Sequence, residues 1–149
     1  MRIIVDTNIV FSAILNSNSR IAKILMRSKV HFQFYTCNYL QAELQRQQSK
    51  LLKLTKLKED ELSELEGLVT HNITFIDERL LPKELLLKTA ILLKSIDPND
   101  TPFVALTKHL EGKLWTGDMQ LYNGLLSKRF KDIILTADLS LLLDDLEGN

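Results

Sequence analysis

Residues 3–10 read IIVDTNIV, and this stretch decides how the chain folds. Three consecutive β-branched residues favour a short strand that is buried on both faces. Asp6 ends the run, and apolar residues then return at helical spacing at Ile9 and Ala13. The stretch therefore predicts a strand that passes directly into a helix, with a carboxylate at the junction.

The same alternation of strand and helix patterns continues along the chain. Further strand patterns lie at residues 31–36, 73–76, 113–116 and 131–138, and helical spacing separates them. Strands that are joined by helical crossovers pair in parallel. The sequence thus predicts an α/β fold: one domain over residues 1–149, an α/β/α sandwich with a mainly parallel sheet of about five strands and a polar tail from about residue 144.

Two helix boundaries are predicted from the residues that commonly end helices. Asn38 and Gln41 have the spacing of a capping box, which predicts one long helix over residues 39–56, with an apolar stripe formed by Leu40, Leu44, Leu51 and Leu54. Gly112 is expected to end the helix that begins near residue 101.

Composition limits the class of protein. The chain of 149 residues is 45% hydrophobic and 26% charged, which is typical of a single globular domain. The lone Cys37 cannot form an internal disulfide, and no apolar run reaches the length of a membrane span. We therefore expect a cytoplasmic protein that does not enter a membrane.

Four carboxylates fall where a parallel sheet places its ligands, outside the carboxyl ends of the strands. Asp6 and Asp118 follow strands, Glu43 lies in the helix after the second strand, and Asp100 begins a helix. Each pair of such charges ~4 Å apart costs on the order of 4 kcal/mol at an effective dielectric constant of about 20. A divalent cation would relieve this repulsion, and oxygen ligands favour Mg²⁺ or Mn²⁺ over zinc.

Each of these acids also has a purely structural interpretation. Asp6 and Asp100 can cap helices, Asp118 can be an ordinary turn residue, and Glu43 can be a solvated helix residue. Asp97 is interpreted as a partner for the turn at Pro98.

Polar residues beside the acids are candidates for support. Thr7 and Asn8 are expected to hold Asp6 toward the metal, and Thr116 has the same role near Asp118. Hydrogen bonds within the local turns are the alternative for all three residues.

The charge balance bears on nucleic-acid binding. The chain has 19 basic and 19 acidic residues, and a net charge of zero argues against a nucleic-acid binder. Setting the four candidate ligands aside leaves 15 of the 19 acidic residues against 19 basic ones. Arg46, Lys50 and Lys53 share a predicted helix face with Glu43, where an RNA backbone could lie, although such stripes are often only solvated.

Three sequence features together resemble the PIN domain, a metal-dependent ribonuclease fold found among bacterial toxin–antitoxin toxins and RNA-processing nucleases. They are IIVDTNIVFSAIL at residues 3–15, Glu43 in the third helix, and DPNDTPFVALTKHLEGKLWTGDMQL at residues 97–121. The resemblance covers nearly the whole chain.

The resemblance implies a set of site residues and an activity. It implies that Asp6, Glu43, Asp100 and Asp118 are catalytic metal ligands, with Asn8 and Thr116 as supports. One or two Mg²⁺ or Mn²⁺ ions would then activate water against a phosphodiester of single-stranded or loop RNA. It further implies an antitoxin partner and a homodimer, for which the apolar first and second helices are candidate surfaces.

Two other functions remain open from the sequence. A PIN fold can act mainly as a binding module for a protein partner, and retention of all four acids favours catalysis over that role. A phosphatase of the haloacid-dehalogenase type is disfavoured, because Asn8 stands where the second Asp of its Asp-x-Asp motif belongs.

Overall fold

A computed structural model describes residues 1–148 and contains a five-stranded sheet in the order β3-β2-β1-β4-β5. The strands are β1 (Arg2–Val5), β2 (Gln33–Cys37), β3 (Ile73–Ile76), β4 (Lys113–Trp115) and β5 (Ile133–Ile134). Every neighbouring pair is parallel. The predicted α/β class with a parallel sheet is therefore confirmed.

Helices cover both faces of the sheet. They are α1 (Thr7–Leu15), α2 (Arg20–Arg27), α3 (Tyr39–Arg46), α4 (Gln48–Thr55), α5 (Glu59–Thr70), α6 (Lys83–Leu93), α7 (Thr101–Leu110), α8 (Met119–Ser127) and α9 (Thr136–Leu146). Helices α1, α2 and α5 pack against one another, whereas α7 lies across β1, β2 and β4 and is covered by α6. Right-handed crossovers place these two groups on opposite faces. Within residues 1–148, we find no helix with the length and apolarity required to span a bilayer.

The strand order places a binding crevice beside β1. The chain moves from β1 outward to β2 and β3, and then returns to β4 on the other side of β1. The connections that leave neighbouring strands β1 and β4 thus run in opposite directions, which opens a crevice at their carboxyl ends. Val5 pairs with Trp115, so the two strands end at the same level. Asp6 follows Val5 directly, and Asp118 comes three residues after Trp115.

Burial explains why β1 lies at the centre. Ile3, Ile4 and Val5 are fully buried, as the opening stretch predicts, and Trp115 on β4 is buried beside them. Burying an aliphatic side chain of this size contributes about 1.5–3 kcal/mol. These apolar surroundings fix the position of β1 and therefore the position of Asp6, which follows it.

The helix predicted over residues 39–56 is two helices, because the chain breaks at Gln47 between α3 and α4. The predicted capping box is also wrong, since Asn38 already has helical dihedral angles and its side chain makes no capping bond. The Gln47 N–H is shared between the carbonyls of Glu43 and Leu44, at 3.0 and 3.2 Å. The change of direction leaves Leu54 52% exposed, outside the predicted apolar stripe.

The strand predicted over residues 131–138 is shorter than expected, and helix α9 takes its last three residues. Strand β5 has only two residues, and the Trp115 indole N–H donates to the Thr136 hydroxyl at 2.9 Å where α9 begins. Leu139 and Leu143, four residues apart, are both buried, and α9 packs on α2. The spacing of these two leucines was the signal for a helix.

Gly112 has a different role from the one predicted. Helix α7 ends with Glu111 in the left-handed region, at φ 54°, so the glycine does not supply the usual left-handed cap. A Cβ at Gly112 would instead lie 2.6 Å from Ile4 Cδ1 and 2.7 Å from the Arg2 carbonyl oxygen. The glycine allows β4 to approach β1 closely.

We expect Gly112→Ala to lower the free energy of unfolding by about 1–3 kcal/mol, because backbone atoms must move to accept the methyl group. Gly67→Ala is the matched control, since a Cβ there meets nothing within 4 Å in the middle of α5. It should stabilise the protein by roughly 0.5–1 kcal/mol through helix propensity. Urea unfolding of both variants tests this, and equal stability of the two would contradict the close approach.

Candidate metal centre

A hollow of about 140 Å³ lies at the carboxyl ends of β1 and β4. All four acids predicted from the sequence line it. The complete lining is Asp6, Thr7, Asn8, Glu43, Asp97, Asn99, Asp100 and Asp118, and we call this hollow the acid pocket. The fold thus brings together residues from both ends of the chain.

Asp6 is the most buried of the four acids, with 2% of its surface exposed. It caps α1, because its Oδ1 accepts the Ile9 N–H at 3.1 Å. Burial is the main reason that the pKa of Asp6 rises to about 6, and the charges of Asp118 and Glu43 add to the effect. Hydrogen bonds from Thr116 and Ile9 oppose the rise in this pKa. The helix-cap interpretation is correct, and the cap uses only one carboxylate oxygen.

Asp118 also caps a helix through a single oxygen. Its Oδ1 accepts the N–H groups of Gln120 and Leu121, at 2.9 and 3.2 Å, where α8 begins. The buried Thr116 hydroxyl accepts the Asp118 N–H at 3.0 Å and also bonds the side chain of Asp6. Thr116 therefore links the two acids that follow β1 and β4.

Glu43 is half-buried, so it is not the freely solvated helix residue of the structural interpretation. Its Oε1 accepts a hydrogen bond from the Thr7 hydroxyl. Burial raises the pKa of Glu43, while the Thr7 hydrogen bond and the charge of Arg46 act in the opposite direction. Thr7 was expected to hold Asp6, and this expectation is wrong: it holds Glu43 instead.

Asp100 was expected to be a strong candidate for a helix cap, but its side chain makes no capping bond with α7. The Thr101 hydroxyl donates to the Pro98 carbonyl oxygen at 2.7 Å, within a short 3-10 turn over Pro98–Asp100. Burial, followed by the charges of neighbouring acids, Asp97 first, raises the pKa of Asp100 to about 7. The helix therefore does not use this carboxylate, which faces other negative charges.

Asp97 and Asn99 line the acid pocket, although they belong neither to the predicted ligands nor to the predicted supports. Asp97 accepts the Asn99 N–H at 3.0 Å, as the turn interpretation requires, and both residues reach the pocket. The three-residue spacing between Asp97 and Asp100 was the sequence signal that could have placed Asp97 in this pocket. Asn8 also lines the pocket, with an exposed side chain.

The donor chemistry of the acid pocket suits a hard divalent cation. Its carboxylate, hydroxyl and amide oxygens are the ligands that Mg²⁺ and Mn²⁺ prefer. Across residues 1–148, no group of three His, Cys, Asp or Glu side chains is already arranged to hold a metal ion. By the chemistry and charge of their donor groups, the residues of the acid pocket fit such an ion.

The three basic residues predicted to bind RNA do not share one helix face. Arg46 lies on α3, where its guanidinium donates to the Tyr39 hydroxyl at 3.0 Å. Lys50 and Lys53 lie on α4, beyond the break at Gln47. The prediction that the three residues lie on one helix is therefore wrong, and their binding to RNA stays a prediction.

Most apolar residues of α1 and α2 pack inside the domain, and Leu15 at the end of α1 is 42% exposed. A homodimer through these helices stays a prediction. Residues Ile9, Val10, Ala13, Ile14, Ala22, Ile24 and Leu25 are buried in the core of the domain. These side chains stabilise the single chain.

Comparison with known proteins gives a family match and a likeness to solved structures. A family profile described as PIN domain matches residues 4–138. A similar solved structure is the crystal structure of VapBC2 from Rickettsia felis bound to a DNA fragment from their promoter. It has a TM-score of 0.68 and 19% identity over 91% of this chain and 97% of that chain, a likeness of fold. No curated protein matches the sequence significantly.

The raised pKa values predict how stability depends on pH in the presence of a chelator. Between about pH 4 and pH 6, folded Asp6 keeps a proton that the unfolded chain, with a pKa of 3.8, has lost. The contribution of this raised pKa to the free energy of unfolding is therefore fully present below pH 3.8. It is lost as the pH rises through the folded pKa of about 6. For Asp6 this loss is on the order of 3 kcal/mol.

Asp6→Asn isolates this effect, since Asn cannot titrate but can still cap α1. The free energy of unfolding of the variant minus that of the wild-type protein should increase from pH 4 to pH 7. Urea unfolding in EDTA across this range measures the difference. A difference that stays constant with pH would contradict the raised pKa of Asp6.

Proposed function

This chain belongs to the PIN-domain family, and from that premise we propose that it is an endoribonuclease that uses Mg²⁺ or Mn²⁺ to cleave single-stranded or loop RNA. One observation carries the proposal: the four carboxylates predicted as ligands line a single hollow at the β1/β4 crevice, together with Asp97. Burial, followed by the charges of neighbouring acids, raises the pKa values of Asp6 and Asp100 to about 6 and about 7, and a bound cation would stabilise their ionised forms.

The proposed metal ligands are Asp6, Glu43, Asp100 and Asp118. When bound there, one or two divalent ions supply an activated water for attack on the phosphodiester and stabilise charge on the leaving oxygen. Asp6 and Asp118 each retain one carboxylate oxygen that does not cap a helix, and the Asp100 side chain caps none. These oxygens are available for ligation while the helix caps stay intact.

The supporting residues set the direction of the ligands. Thr7 fixes one oxygen of Glu43, which limits rotation of the only long side chain among the four. Thr116 holds the backbone of Asp118 and the carboxylate of Asp6, so both acids keep a defined separation. Hydrogen bonds of this kind orient metal ligands and raise affinity for the ion.

Protons held in the acid pocket link metal binding to pH. Near neutral pH, the carboxyl groups of Asp6 and Asp100 are partly protonated, because their pKa values are about 6 and about 7. Ligation requires the ionised form, so uptake of the cation releases these protons. We therefore expect activity to increase from pH 6 to pH 8.

We also propose that the chain is the toxin of a toxin–antitoxin pair and works in the cytoplasm. The similar fold in a VapBC2 complex supports a protein partner, which we propose to be an antitoxin. A PIN-fold binding module is the second candidate function. It is favoured by the finding that no three acidic, His or Cys side chains of residues 1–148 are already arranged around an ion site.

We predict that purified protein cleaves single-stranded RNA with Mn²⁺ or Mg²⁺ and not with EDTA. Asp6→Asn should lower the rate at least about 100-fold, because it removes a ligand charge. Glu64→Gln is the matched control, since it removes an exposed carboxylate from α5 and should leave the rate unchanged.

Gel analysis of a labelled RNA panel measures these rates. Cleavage that persists in Asp6→Asn would point to a contaminating nuclease and contradict the assignment. Absence of cleavage with every metal, in protein that is folded and free of partner, would favour the binding module.

Thr7→Val tests the positioning of Glu43 separately from the ligands. Removal of the hydroxyl should weaken Mn²⁺ binding by roughly 10–100-fold with little change in the shape of the side chain. Thr74→Val is the control, on the exposed side of β3. Calorimetric titration with Mn²⁺ gives both affinities, and equal values would show that Thr7 does not orient Glu43.

A further inference from the structure

A second hollow, of about 130 Å³, adjoins the acid pocket. It is lined by Thr7, Asn8, Phe11, Glu43, Gln47 and Lys50, and we call it the Lys50 hollow. Thr7, Asn8 and Glu43 line both hollows. The two hollows are therefore neighbours on the same part of the surface.

Lys50 is the basic residue at this place. Its Nζ lies 5.5 Å from the centroid of the Phe11 ring, and that ring packs against the core. An ammonium group over an aromatic face is attracted by the ring, which restricts where the flexible side chain spends its time. Among residues 1–148, Lys50 is the single basic side chain in the lining of either hollow.

The neighbouring Arg46 is held in another way. Its guanidinium bonds the Tyr39 hydroxyl at 3.0 Å and lies 5.3 Å from the centroid of that ring. The break at Gln47 separates it from Lys50 and places the two cations on different helices. Of the three basic residues in the predicted stripe, Lys50 is the one that lines a hollow sharing Thr7, Asn8 and Glu43 with the acid pocket.

Charge indicates which kind of ligand the Lys50 hollow accepts. The acid pocket is lined by five carboxylates, from Asp6, Glu43, Asp97, Asp100 and Asp118. An RNA phosphate held there by a cation brings the next phosphate of the chain beside this negative region, where it needs a positive partner. Lys50 supplies that charge, and the side-chain amides of Gln47 and Asn8 supply N–H donors for phosphate oxygens.

We propose that the Lys50 hollow is a subsite for the RNA backbone phosphate next to the one that is cleaved. The proposal rests on the proposed function, because it requires RNA to cross the acid pocket. Lys50 binds this phosphate from above the Phe11 ring, and Gln47, at the break between α3 and α4, lies at its side. The subsite reads the backbone and not the base, so it fixes the position of the chain without choosing a sequence.

The test measures binding in a protein that cannot cleave. Asp6→Asn serves as the parent, and fluorescence anisotropy gives the dissociation constant of a labelled single-stranded RNA in Mg²⁺ across a series of KCl concentrations. In this parent, Lys50→Gln should reduce the slope of log K against log salt by about 0.7, the value for one phosphate contact to a single strand. At 0.1 M salt this corresponds to about fivefold weaker binding.

Two further variants separate the subsite from general surface charge. Lys50→Arg keeps the cation and should retain the slope of the parent. Lys56→Gln removes an exposed charge at the end of α4, outside both hollows, and should change the slope little. Thermal melting of each variant checks that it is folded.

The outcomes distinguish this proposal from the proposed function. Equal changes for Lys50→Gln and Lys56→Gln, an unchanged slope for Lys50→Gln, or no RNA binding by the parent would each overturn the subsite. A smaller salt slope for Lys50→Gln in the parent, together with wild-type protein that does not cleave, would uphold a backbone-phosphate site at the Lys50 hollow and overturn the nuclease. Cleavage by the wild-type protein, together with an unchanged slope for Lys50→Gln, would uphold the nuclease and overturn the subsite.

Discussion

The burial of one carboxylate at the end of β1 is the constraint on which the rest of this site depends. Asp6 is 2% exposed at the point where the buried strand β1 meets the polar lining of the acid pocket. Burial of a charge there is unfavourable, and the Ile9 N–H and the Thr116 side chain compensate only in part, since the pKa still rises to about 6. The further acids around Asp6 make its ionised form still less favourable. A chain that keeps such a cluster accepts lower stability in exchange for a site with a strong demand for positive charge.

The direction of the helices that leave the sheet reduces the unfavourable free energy of gathering these charges. Helices α1 and α8 both begin at the carboxyl edge, with Asp6 and Asp118 as their N-cap residues. The positive ends of these helices face the carboxylates, which stabilises negative charge at that edge. The strand order then places the ends of β1 and β4 side by side. Local capping and long-range topology therefore act on the same two residues.

The sequence was sufficient for features that depend on burial and on the repeated alternation of elements. The buried β1, the parallel sheet and the gathering of the four acids at one edge follow from the apolar pattern and the placement of strand ends. The partners of Thr7 and Asp100 could not be predicted, because they depend on distances between elements that are remote in sequence. The break at Gln47 has no Gly or Pro to mark it, and helix α9 was missed because its two buried leucines followed a stronger β-branched signal.

The break between α3 and α4 also has a consequence for how such a protein can change over generations. Glu43 lies on one side of it and Lys50 on the other, so the proposed metal ligand and the proposed phosphate contact belong to separate helices. Under the proposed function, substitutions along α4 would alter how tightly RNA is held without disturbing the proposed metal ligands. Related chains would thereby differ in their grip on the substrate while they keep the same carboxylates.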